Sequence, residues 1–177
     1  LMCAAICLVC TMNLISAPTI SLEGKTLWLC RSLPVSGTDV LMSKVMLHFD
    51  VTLPSILVFD LAVILPLAPT FTEALILLAL PTAFTMLTAL LGVVVNLHLP
   101  KFDWISEVHA IKQGASTIVS MFVSFALVLI PGLLYALLLA SFMSLELFLV
   151  ACTLLFAVLS FILYWYIKNG GSRVFEK

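Results

Sequence analysis

Residues 73–98 read EALILLALPTAFTMLTALLGVVVNLH, a run in which Glu73 is the one formally charged side chain and no Lys or Arg appears. A helix needs roughly 20 apolar residues to cross about 30 Å of hydrocarbon, so this stretch predicts a membrane span. Comparable apolar runs flank it at 48–68, 117–139 and 146–167, and a shorter one occupies 1–18. The predicted fold is therefore all-α. It is a polytopic transmembrane helix bundle of about five spans, a single domain over 1–177, with short cytosolic interfacial helices in the polar segments 21–47 and 99–116. Composition agrees: 63% hydrophobic and 10% charged residues, with a mean hydropathy of +1.27, lie well beyond soluble usage. A net charge of −1 with no basic run gives no indication of nucleic acid as a partner.

The positive charges orient the bundle. Lys25, Arg31 and Lys44 fall in the first polar segment, Lys101 and Lys112 in the third, and Lys168, Arg173 and Lys177 in the tail. The two intervening polar segments carry none, and Glu73 and Glu146 lie beside them. An excess of Lys and Arg marks cytoplasmic loops, which predicts a cytoplasmic C-terminus and places the first residue of this chain outside. Tyr164, Trp165 and Tyr166 end the last run next to Lys168, as an aromatic belt and a snorkelling lysine would. The run 1–18 starts at Leu1, without an initiator Met or a basic n-region, and reads as the start of a fragment with at least one segment upstream. Cys3, Cys7, Cys10, Cys30 and Cys152 have no His at metal-ligand spacing, which argues against a zinc site or a disulfide framework.

Pro54, Pro66, Pro69, Pro81 and the pair Pro131–Gly132 predict kinks in the spans. The stretch after Pro131 fits either the completion of a straight span or a short re-entrant element. In the first polar segment, Glu23 to Ser32 predicts a short helix ended by Pro34. Ser36, three residues before Asp39, then predicts the start of a second helix that runs into the next span. The pair forms an elbow on the membrane surface that presents Trp28 and Arg31. In the other polar loop, Asp103 is placed to cap a helix from Trp104 to Gln113. Trp104, Val108 and Ile111 form an apolar stripe toward the headgroups, while Glu107 and Lys112 face water or a partner. His109 reads as solvated. Asp60 lies twelve residues into the run 48–68. A carboxylate at that depth costs about 3 kcal/mol, so it should face the bundle interior or a wet cavity, which makes it a candidate to line a path.

The stretch SLEGKTLWLCRSLPVSGTDVLMSKV, residues 21–45, resembles the cytosolic segment of bacterial ATP-binding-cassette type-2 exporter permeases. In that family a Glu-Gly-Lys start leads to a Leu-Pro-Val-Ser turn and a helix ending in Lys. NLHLPKFDWISEVHAIKQGAS, residues 96–116, is similar to a second stretch in a subgroup of the same permeases. The two matches cover about a third of the chain. The resemblance implies a membrane subunit of an exporter in the bacterial inner membrane, with the spans here as the second to sixth of six. It implies that loop 21–47 is the coupling element for cytosolic ATP-binding subunits, with Glu23, Lys25, Trp28, Arg31 and Asp39 as contact residues. Asp103, Trp104, Glu107 and Lys112 form the second cytosolic loop. The partners it implies are those ATPase subunits and a second transmembrane half, together with the lipid bilayer. ATP would be bound by the partner, and no cofactor or metal is expected in this chain.

No GxxxxGK[ST] loop or GxGxxG turn is present, and no nucleophile is paired with a His within a span, so the chain is not expected to be an enzyme. Two other readings compete with the exporter permease. One is a proton- or ion-coupled secondary transporter using Asp60; the other is a non-transporting membrane assembly protein.

Overall fold

The computed structural model describes residues 2–24, 26–32, 34–104, 106, 108, 111, 113–171 and 175. Seven α-helices are resolved along them: α1 (Met2–Thr11), α2 (Thr19–Leu22), α3 (Leu27–Ser32), α4 (Gly37–Leu67), α5 (Phe71–His98), α6 (Ala115–Leu134) and α7 (Leu145–Tyr166). Short π-helical turns extend α6 over Tyr135–Leu139 and α7 over Ile167–Gly171. The architecture is all-helical. Four helices, α4 to α7 with their extensions, are long and apolar enough to cross a membrane.

Helix α5 forms the axis. Half of its most apolar window is buried within the protein, against 17% for α4, 6% for α6 and 17% for α7. It packs against all of α1, α4, α6 and α7. The outer helices leave Leu, Val and Phe side chains such as Leu65, Phe122, Leu154 and Phe161 uncovered along their length. In water such continuous apolar faces would be a severe liability, whereas lipid solvates them. The chain is a multi-pass membrane protein.

Helix α4 starts where the Ser-x-x-Asp pattern places it. Ser36 is the N-cap: its hydroxyl oxygen accepts the Asp39 N–H at 3.2 Å, and the same hydroxyl donates to Asp39 Oδ2 at 2.6 Å. From there α4 continues for 31 residues, roughly 46 Å at 1.5 Å per residue, so its first turns stand clear of the hydrocarbon. A three-residue turn, Ala68 to Thr70, returns the chain into α5. Ala68 adopts a left-handed conformation (φ 42°), and Thr70 closes a capping box with Glu73. Helices α4, α5 and α6 run through Pro54, Pro66, Pro81 and Pro131. Around Pro81 the hydroxyls of Thr82 and Thr85 donate to Leu78 O and Pro81 O at 2.7 and 2.8 Å. Helix α6 passes Pro131 and continues to Leu139, so the stretch after Pro131 completes a span and does not re-enter.

The first apolar run differs from its expectation. Helix α1 has ten residues, about 15 Å, and its end unwinds through tight turns in which Met12 N–H and Asn13 N–H donate to Val9 O and Cys10 O. Residues 12–18 are not helical. Within this chain the run 1–18 is thus a short helix followed by an irregular, polar-anchored strip. The elbow is also shorter than expected: α3 begins at Leu27, and Glu23 and Gly24 lie in a turn after α2.

Topology gathers the N-termini of α4 and α6 and the C-termini of α5 and α7 at one end. Tyr166 Oη lies 2.9 Å from His98 Nε2 there, and a Cβ on Gly171 would touch Leu97 and Leu41. Lys44, Lys101 and Lys168 therefore share that basic end, and Glu73 and Glu146 line one cleft at the opposite, acidic end.

Candidate functional site

At the basic end a strip of chain, residues 13–24, is clasped against the bundle by side-chain hydrogen bonds. Asn13 Nδ2 donates to Thr52 Oγ1 of α4 at 2.6 Å. The Ser16 N–H donates to His48 Nδ1 at 3.3 Å, with Ser16 Oγ 2.9 Å from the same nitrogen. The strip then crosses α5 at Gly92. A Cβ there would fall inside contact distance of Ser16 Oγ and 3.0 Å from Ala17 N, so only glycine admits this approach.

Asn96 is the hub of the clasp. Its Oδ1 accepts the backbone N–H groups of Ile20 and Ser21 at 2.7 and 3.1 Å, and its Nδ2 donates to Ser21 Oγ at 2.7 Å and Ser116 Oγ at 2.9 Å. This fully buried amide holds α2, α5 and the start of α6 together. Ser21 extends the network into the second loop: its Oγ accepts Lys101 N–H at 3.0 Å and its carbonyl accepts the Trp104 indole N–H at 2.8 Å. Phe102 adds an apolar contact, since its ring occupies the space beside Gly24 where a Cβ would stand. Finally, Lys44 Nζ of α4 pairs with Glu23 Oε1 at 2.5 Å, the lysine almost wholly buried. The two polar loops and α4 thus form one connected body.

The residues expected to contact a partner are distributed across this body. Glu23 faces inward onto Lys44. Trp28 stands on α3 with 69% of its surface exposed and with Leu29 and Val35 exposed beside it. Arg31 falls within α3, its side chain outside the described residues, as is all of Lys25. Asp39 is exposed and engaged with the Ser36 hydroxyl, so it builds the start of α4. In the second loop Asp103 is exposed, while Glu107, His109 and Lys112 lie outside the described residues. Trp104 departs from its expected place. Its backbone is not helical, and its indole turns onto Ser21 because the buried carbonyl is a partner that a headgroup-facing stripe would not give it.

Asp60 is buried, as its depth requires, and neither carboxylate oxygen has a hydrogen-bond partner among the described residues. It lies within electrostatic reach of Cys3, Cys7 and Cys10, a buried row on one face of α1. Cys7-Leu8-Val9-Cys10 is a C-x-x-C spacing, contrary to a reading of these cysteines as free of that motif. Among the described residues no group of three or more His, Cys, Asp or Glu side chains is placed to hold a metal ion. The hub residues Asn96, His48 and Ser21 were also passed over. Their signal was available: each is a polar side chain at the edge of an apolar run, where a hydrogen-bond partner must be found.

The fold and the clasp define a class, an α-helical multi-pass membrane protein with a stiff, polar-bonded loop layer at its basic end. No protein-family model, curated protein or solved structure matches the chain.

Proposed function

We propose that this chain is the membrane subunit of an ATP-driven exporter of the ATP-binding-cassette type-2 class, working with separate cytosolic ATPase subunits and a second transmembrane half. The basic end would face the bacterial cytoplasm, in keeping with the shared placement of Lys44, Lys101 and Lys168 there. The observation that carries this reading is the unbroken course of α4, from its Ser36 cap in the loop layer to Leu67 at the far end of the bundle. A partner that moves the loop layer moves α4 with it, because Lys44, His48 and Thr52 tie the strip 13–24 to three successive turns of that helix. Trp28, exposed on α3, is the apolar anchor that a docking protein would cover.

The test is purification of the protein from its native membrane in mild detergent, with a search for a co-purifying ATPase. The expected result is a bound ATPase that falls at least tenfold in a Trp28→Ala, Arg31→Glu variant of normal thermal stability. Absence of any ATPase, where other membrane complexes survive the same detergent, refutes the reading.

A further inference from the structure

We propose that Asp60 is a titrating proton-binding site of the bundle, loaded from the acidic end. The carboxyl group is fully buried in a span, and both oxygens lack a donor among the described residues. An ionised carboxylate does not persist in an apolar interior without a counter-charge. Among the described residues the groups around it supply none. Helix α1 presents the thiols of Cys3, Cys7 and Cys10, α5 has no ionisable side chain between Glu73 and His98, and α7 contributes Cys152 beyond Cys7. On α4 itself His48 and Lys44 lie more than three turns away, His48 bonded to Ser16 and Lys44 paired with Glu23. The cation that neutralises Asp60 is therefore a proton.

The route we assign to that proton starts at the acidic end. A cleft of about 200 Å³ opens at the acidic end and is lined by Glu73, Glu146, Cys3 and Val63. Val63 is one helical turn from Asp60 on α4. Two carboxylates at the mouth raise the local concentration of cations. The step balances simply: the carboxylate takes a proton from water in the cleft to become the neutral acid, and returns it when the cleft is alkaline.

The experiment uses the chain in liposomes of one orientation and dicyclohexylcarbodiimide, an apolar reagent that modifies protonated carboxyl groups. Modified peptides are read by mass spectrometry. Asp60 should be labelled at least tenfold faster at pH 6 than at pH 9, with the rate following the pH on the Glu73 and Glu146 side, and the label should vanish in Asp60→Asn. Equal labelling at both pH values would make Asp60 a permanently neutral structural acid and overturn the proposal. So would no labelling at all, or labelling that follows the pH on the basic side. The pH dependence is read on the wild-type chain, so a variant that fails to fold does not blunt the test. No ATPase is involved, so the result stands apart from the exporter reading.

Discussion

The loop layer at the basic end and the interior of the bundle handle polar groups among apolar helices differently. At the basic end Asn96 makes four hydrogen bonds, Ser21 joins two loops, and Glu23 answers Lys44. In the interior of the bundle, Asp60, Ser120 and Ser124 are equally buried and have no partner among the described residues. The basic end is a latched body, although Glu23 Oε2, His48 Nε2 and Thr117 Oγ1 there also lack a partner among the described residues, and in the interior whole side chains are left unbonded. Buried polar groups that are fully paired rigidify a structure, while unpaired ones destabilise it and are kept where something else uses them.

That contrast can be broken most forcefully at its hub. Asn96→Ala leaves two backbone N–H groups, Ser21 Oγ and Ser116 Oγ without their partner, and should destabilise the protein by about 3 kcal/mol. A thiol-reactive dye that reports exposure of the buried Cys3, Cys7, Cys10 and Cys152 would read this as a lowered melting temperature. An unchanged melting curve would mean that the clasp is not what holds the loop layer. Gly92→Ala should cost about 2 kcal/mol by the same assay, because the new methyl displaces the strip at Ser16 and Ala17. At the other extreme, Ser120→Ala and Ser124→Ala remove hydroxyls that bond to nothing described, and each should shift stability by less than about 0.5 kcal/mol in either direction. A large loss there would show that the interior is latched as well, and the comparison would collapse.

Much of the fold could be read from the sequence, because it follows from solvent alone. Four runs had to be helices to satisfy their backbone in lipid, and Ser36 with Asp39 marked where α4 begins. What escaped were features set by partners far away in the chain. Residues 12–18 are apolar enough to continue α1, yet Asn13, Ser16 and Ser21 find side-chain partners on α4 and α5 that an extended helix could not reach. Trp104 has the spacing of a surface stripe, but its indole partner is 83 residues earlier in the sequence. That Asp60 is buried is legible in the sequence, since depth in lipid is a local property. Its lack of partners is not, and required the packed structure.

The short turn between α4 and α5 bears on how the protein is made. Only Ala68, Pro69 and Thr70 separate a helix of 31 residues from one of 28, and the capping box fixes the new helix at its first turn. With so short a tether the two segments partition from the insertion machinery as a helical hairpin. The more apolar second arm, whose window averages 2.2 in hydropathy against 1.9, offsets the cost of carrying Asp60 into lipid. Lengthening that tether with a flexible polar insert would leave the first arm to insert alone, and its yield in the membrane is where the loss would register.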